Sequence, residues 1–343
     1  MRMRDPDRKP LSKRKLLVVF AAVLALLAVL VAGLYAGGRL LERSGSTQAF
    51  GSLAGRFEEE PVNTYKGAQY VKNPSVSSFL FMGVDRREAQ ELEGGFRAGG
   101  QSDFLLLLVV DSSSRTVRRI QIDRDTMAEI TVLGVLGNDL GTNTHQICLA
   151  HGFGDGREQS CRFTVEAVQR LLCGISISGY LSLNLDGIQT LNDLLGGVTV
   201  TLKDDFSAFD PAMIPGATLT LRGRQAEIFV RQRMTIGDGT NASRMLRQQA
   251  FLEKAVELAG ERVRQDAGFI GTLFDGLKPY MITDLSRGRM INEANKAAGY
   301  RMEGTLTLPG GHTTGPDGFV EFHADGDALM ALVLDVFYTK SGD

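Results

Sequence analysis

The stretch "SDFLLLLVVDSSSRTVRRIQIDRD", Ser102 to Asp125, decides the fold class. Two apolar runs joined by a Ser-rich turn at Ser112 to Ser114 read as neighbouring strands. The first run is continuously apolar instead of alternating, so both of its faces are buried, the habit of a sheet covered by helices. The second ends in three consecutive charges, Asp123, Arg124 and Asp125, where a core strand has no use for them.

Outward from these strands, "SSFLFMGVD" (Ser77 to Asp85) is a third apolar run ending in a charge. Downstream, "FTVEAVQRLL" (Phe163 to Leu172) has helical spacing and "GYLSLNLDG" reads as a strand. "DGIQTLNDLLGG" reads as a helix with Asp186 as N-cap and Gly196 as stop signal. "VTVTL" (Val198 to Leu202) is a strand, "LRGRQAEIFVRQR" a short helix, and Asn241 to about Gln265 a longer one. The tail closes with an apolar helix, "ALMALVLDVFY". The expectation is a mixed α/β (α+β) domain over residues 74–343, a central sheet with helices on both faces.

The 343 residues, 43% hydrophobic, suffice for one large domain or two small ones, and a net charge of -2 neither favours nor excludes a charged polymer as partner. Residues 1–15 carry seven basic side chains against Asp5 and Asp7. Residues 16–38, "LLVVFAAVLALLAVLVAGLYAGG", then lack any charge. A helix of about 22 residues crosses roughly 30 Å of hydrocarbon, so this reads as a transmembrane helix. The basic flank places the N-terminus in the cytoplasm and the rest outside. An uncleaved anchor is favoured over a signal peptide, whose apolar region is shorter, about 7 to 15 residues. Residues 39–73 read as a stalk.

Three cysteines lie close together in sequence: Cys148 and Cys161 can close the intervening loop as a disulfide with Cys173 left over, or all three are free thiols. The histidines, His145, His151, His312 and His323, show no metal-ligand spacing.

Four sites place charge at the end of an apolar element, where strand ends meet a crevice. They are Asp85 with Arg86 and Arg87; Arg97 and Asp103 in "FRAGGQSDF"; Arg124 with Asp125; and "VRQRMTIGDGTNASRMLRQQ", with Arg231, Arg233, Asp238, Arg244, Arg247 and Gln248. Arg231 and Arg233 share a face if extended, Arg244 and Arg247 if helical. Taken singly, each site also reads as a solvated turn or a surface salt bridge. Together, arginines that grip phosphate bidentately and carboxylates that hold magnesium suit a pyrophosphate.

The motifs "FLFMGVDRR", "RAGGQSDFLLLLVVD", "VRRIQIDRDTMAEI", "GYLSLNLDGIQTLNDLLGGVTVTL", "LRGRQAEIFVRQR" and "SRMLRQQAFL" together resemble the LytR-CpsA-Psr (LCP) family of bacterial cell-envelope phosphotransferases. The likeness covers residues 76–255 and leaves 256–343 as a C-terminal extension. It implies a membrane-anchored, extracytoplasmic transferase. Such an enzyme moves a glycopolymer, teichoic acid or capsule, from an undecaprenyl-pyrophosphate carrier onto peptidoglycan.

Carried over, the resemblance makes Asp85 and Asp103 ligands of magnesium, with manganese as an alternative ion. It makes Arg97, Arg124, Arg231 and Arg233 pyrophosphate contacts, and Arg244, Arg247 and Gln248 a helix lining the same site. Arg124 is the leading catalytic residue, and Asp125 either orients it or takes a proton from the acceptor. The partners implied are the lipid-linked glycopolymer, peptidoglycan and the membrane, with no nucleic acid.

Two positions depart from the family's pattern: Asp123 stands where Pro is usual, and Phe104 where Thr is usual. Asp123 either damps the charge of Arg124 or adds a magnesium contact. A polyprenyl tail needs an apolar channel, for which the helices at 163–172 and 188–197 offer faces that serve equally as ordinary core. A hydrolase using water at the same site, and a non-catalytic binding module for polyprenyl phosphate or wall polymer, are the competing readings.

Overall fold

The computed structural model describes residues 64–87, 99–134, 136–266, 268–297 and 299–340. The transmembrane helix expected at 16–38, most of the stalk, and Arg97 lie outside these residues. Among the described residues no helix is long and apolar enough to cross a membrane.

The strands are β1 (Tyr70–Lys72), β2 (Val76–Val84), β3 (Ser102–Asp111), β4 (Thr116–Ile122), β5 (Met127–Leu133), β6 (Asp139–Gln146) and β7 (Gly179–Leu183). They continue as β8 (Thr199–Thr201), β9 (Thr218–Thr220), β10 (Met281–Thr283), β11 (Arg301–Thr307), β12 (Gly310–Thr314), β13 (Val320–Ala324) and β14 (Tyr338–Lys340). Six of them form one mixed sheet in the order β10-β7-β2-β3-β4-β11. β3 is antiparallel to both β2 and β4, whereas β7 runs parallel to β2 and β11 parallel to β4. The strands read from "SSFLFMGVD" and the opening stretch are therefore the centre of the sheet, joined by the expected Ser-rich turn. β1, inside the segment read as stalk, pairs with β14, so the two ends of the described chain meet.

Side chains alternate between two cores, as a period of two requires. Phe79, Phe81, Leu106 and Leu108 face helices Leu185–Leu195, Arg224–Arg231, Asn241–Gln265 and Phe269–Leu277. Leu80, Met82, Leu105 and Leu107 face helices Glu158–Leu171 and Gly326–Phe337. Burying a side chain of this size stabilises the fold by about 1.5–3 kcal/mol, which is why the middle of β2 and β3 is apolar on both faces.

Local signals explain the element ends. Gly196 stops its helix in the left-handed conformation at φ 91°, as read from the sequence, but the N-cap is Asn184 and not Asp186. Asn184 accepts from Gly187 N at 2.9 Å, so the helix begins before Asp186, which falls in its first turn. Thr240 caps the long helix by accepting from Ser243 N at 3.2 Å. All three cysteines are free: Cys148 and Cys161 are buried and unbridged, and Cys173 is exposed. Burial pushes the Cys148 thiol up to about 12, so it is an inert core thiol.

Candidate functional site

The charged site forms where β2 ends, β3 begins and β4 ends. At this edge the β2–β3 register slips: Gly83 pairs with Phe104 and Val84 with Ser102, leaving Asp103 without a partner on β2. A bulge of this kind re-aims a side chain, and here it turns the Asp103 carboxylate toward the arginines. Gly100, at φ +69°, lets the preceding loop fold back tightly: a Cβ there would lie 2.3 Å from Arg86 Cγ. The loop thereby brings Gln101 N to 2.8 Å from Asp85 Oδ1.

Arg124 Nη1 donates to Asp103 Oδ1, its Nη2 to Gln101 Oε1 at 2.6 Å and its Nε to Asp125 Oδ1 at 3.2 Å. Arg244 Nη1 donates to the second Asp103 oxygen at 3.0 Å. One carboxylate thus aligns two guanidinium groups. Asp125 is 2% exposed, and its Oδ2 accepts no hydrogen bond, with Arg233 Nη1 3.8 Å away. Burial raises the Asp125 pKa, and neighbouring Arg124 offsets part of that rise. Asp85 is raised too, by burial first; the Gln101 amide opposes this and the charge of Asp103 adds to it.

Behind this charged rim lies an apolar cavity with about 930 Å³ of empty volume, including its open mouth. Its walls are Phe81, Leu106, Ile188, Leu191, Phe251 and Leu252, with Phe104 near the rim, and Asp85, Asp103, Arg231, Arg244 and Gln248 at the polar end. Only the second of the two helices weighed for an apolar channel lines it; the helix carrying Phe163 to Leu171 packs on the opposite face of the sheet.

The structure thus gathers Asp85, Asp103, Arg124, Asp125, Arg231, Arg233, Arg244 and Gln248 around one mouth. Arg231 is the last residue of its helix, 3.8 Å from Glu227, so it and Arg233 do not form the shared extended face read from the sequence. Arg247 belongs elsewhere, despite its helical spacing from Arg244. It donates to the Phe229 and Gln232 carbonyls and to Asp204, and packs on the Phe206 ring. It secures the C-terminal end of helix Arg224–Arg231. Asp123 is engaged on both oxygens. Its oxygens accept from Asn241 Nδ2 at 2.7 Å, Asp125 N at 2.9 Å and His312 Nε2 at 2.9 Å. Gln101, Asn241 and His312 are participants that sequence reading missed. The only hint was that Gln101 adjoins "SD" and Asn241 opens the helix that carries Arg244.

A family model described as the LytR_cpsA_psr family matches residues 46–332. A polyisoprenyl-teichoic acid--peptidoglycan teichoic acid transferase, TagU of Bacillus subtilis (strain 168), is 25% identical over 334 residues, 97% of this chain and 98% of its own. Its namesake from Bacillus licheniformis is 27% identical over 254 residues, 73% of this chain and 72% of its own. Biofilm regulatory protein A of Streptococcus mutans is 24% identical over 71% of this chain, which spans only 57% of that relative's length. Among solved structures, protein gbs0355 of Streptococcus agalactiae superposes with a TM-score of 0.61 at 22% identity, covering 76% of this chain and 86% of that one. A TagT structure bound to LIIa-WTA superposes at 0.56 with 20% identity, covering 81% and 95%.

Proposed function

We propose, from the premise that this chain belongs to the LytR-CpsA-Psr family, that it transfers a wall glycopolymer from a polyprenyl-pyrophosphate carrier onto peptidoglycan. The observation that carries this reading is an apolar cavity closed at one end by carboxylates and arginines. An isoprenoid tail needs the walls and a pyrophosphate needs the rim, so a lipid pyrophosphate uses both halves together. The names of the TagU relatives supply the class of polymer and acceptor.

In this reaction the acceptor hydroxyl bonds to the sugar-proximal phosphorus and the bridging P–O bond breaks. Its electron pair leaves on the polyprenyl phosphate, which also takes the hydroxyl proton. Arg124, Arg231 and Arg244 neutralise the phosphate oxygens. Phosphoryl transfer depends chiefly on such positioning and charge, and an arginine on the transferred group is worth about 10³ to 10⁵ in rate. Of the two candidate roles of Asp125, its 2% exposure and its contact with Arg124 Nε support orienting Arg124 over taking a proton from the acceptor.

Asp85 and Asp103 fit a magnesium ion by the chemistry of their donors. Magnesium is held by one or two carboxylates and takes phosphate oxygens and water for the rest. Burial, and to a lesser extent the charge of Asp103, raises the Asp85 pKa, a cost that a cation would relieve. When bound, the ion would neutralise pyrophosphate charge. Phe104 supplies an apolar collar next to that rim. The span at 16–38 would hold the domain at the outer membrane surface, where its donor lies.

The test uses the full-length chain in detergent with a short-chain polyprenyl-pyrophosphate sugar, magnesium and peptidoglycan fragments, read by mass spectrometry. A sugar-phosphate adduct that disappears with Arg124→Ala supports the transferase. Sugar phosphate released without an adduct makes water the acceptor, and lipid binding without turnover makes the protein a binding module.

A further inference from the structure

The Arg124 loop is gripped from behind by a hairpin at residues 310–324, inside the span that the family model matches. β12 and β13 form a hairpin in which His312 faces Phe322. Phe322 N donates to Asp125 O at 2.8 Å, and Phe322 bridges to Thr126. The His312 ring stands edge-on to Phe322, centroids 5.0 Å apart, and its Nε2 reaches Asp123 Oδ2 at 2.9 Å.

From Asp123 the chain of bonds runs inward. Asp123 Oδ1 accepts from Asn241 Nδ2, and Asn241 Oδ1 accepts from Arg244 Nε at 3.0 Å and Nη2 at 2.5 Å. Arg244 Nη1 then meets Asp103, which also holds Arg124. Each link has one permitted direction. An ionised Asp123 only accepts, so His312 must carry its proton on Nε2 and Asn241 must present its NH₂ to Asp123. That leaves the Asn241 oxygen for Arg244. Asp123, Asn241 and Arg244 are all buried, so water does not substitute readily at the inner links, whereas His312 closes the chain from the exposed side.

We propose that His312 is a positioning residue of the active site: through Asp123 and Asn241 it fixes the amide that aims Arg244 at Asp103 and the phosphates. Asp123 and the hairpin at residues 310–324 thus form one device, since only a carboxylate at 123 receives both His312 and Asn241. The catalytic consequence rests on the transferase reading; the relay itself does not.

The experiment compares wild type, His312→Ala, His312→Gln, Asp123→Ala and the double alanine variant in the full-length chain. Three quantities are measured: transfer kinetics, thermal stability, and the Arg244 Nε–H NMR resonance, assigned with Arg244→Lys. Supporting partners of a site typically contribute at least about 10-fold in activity, so His312→Ala should lower kcat about 10-fold with KM for the lipid donor little changed. His312→Gln, which keeps a donor, should recover most of it, and the double variant should be no worse than Asp123→Ala alone. The Arg244 resonance should shift or broaden in His312→Ala and return in His312→Gln. If wild type transfers nothing, the transferase reading fails while this resonance still reads the relay. An unmoved resonance, or equal losses of stability and rate in the Ala and Gln variants, overturns the proposal.

Discussion

The two faces of the central sheet draw on the same strands and nearly the same residue types, yet one is closed and the other hollow. On the face of Leu80, Leu105 and Leu107, helices Glu158–Leu171 and Gly326–Phe337 pack down on side chains with no exposure. On the face of Phe81 and Leu106, the walls Leu183, Ile188, Leu191 and Leu252 stay only partly buried around the cavity. Apolar surface left half-wet forgoes stabilisation of about 25 cal/mol per Å². Such surface beside Arg231, Arg244, Asp85 and Asp103 is what supports the proposed ligand, one with an apolar tail and an anionic head.

The sharpest way to break this comparison is at the rim. Arg124→Ala should reduce transfer at least about 10³-fold while leaving lipid binding in the cavity nearly intact, read by turnover and by a fluorescent polyprenyl phosphate. Equal loss of binding and turnover would mean that rim and cavity do not divide the work. Filling the cavity is the complementary change. Leu191→Trp should raise KM for a long-chain donor roughly 10-fold or more and spare a short-chain one, whereas overpacking the closed face at Leu107 should only destabilise.

A smaller contrast is in stability. Leu107→Ala should cost about 2–5 kcal/mol in denaturant unfolding, because a packed core keeps the void it creates. Leu252→Ala should cost about 1 kcal/mol, since its side chain already borders empty space. Similar losses at the two positions would show that the cavity wall is packed after all.

How much of this contrast was legible depended on what each residue's neighbours in sequence could report. β2 and β3 announced themselves because strands buried on both faces are apolar through their middle, β4 followed from the short Ser-rich turn, and the charges at their ends marked the site. Periodicity gave the helix around Phe163 to Leu171 an apolar stripe but not the face of the sheet it covers, so its claim to the cavity failed. Arg244 and Arg247 look equivalent three residues apart, but 300° of helical rotation sends one to Asp103 and the other to the Phe229 and Gln232 carbonyls. Asn241 and His312 lie 118 and 189 residues from Asp123. A contact across such separations leaves no trace in spacing.

The last expected effect is a shift of pH dependence, confined to the rim and absent from the closed core. Burial raises the Asp125 pKa above its ordinary value, with Arg124 holding part of the rise in check. A carboxyl raised in the folded state binds its proton more tightly there than in the unfolded chain. Its stabilising contribution is therefore full below the unfolded value, about 3.9, and is lost as pH rises through the folded one. Activity has the opposite sign: protonation removes the charge that holds Arg124 Nε, so turnover falls as the medium is acidified. The acid limb of kcat should lie above the ordinary carboxylate range in the wild type. In Asp125→Asn that limb should flatten, with kcat lower throughout and stability at neutral pH improved relative to wild type, more so than at acid pH. A limb unchanged by Asp125→Asn would assign it to Asp85, whose pKa is raised by burial in the same direction, and the orienting role of Asp125 would fall.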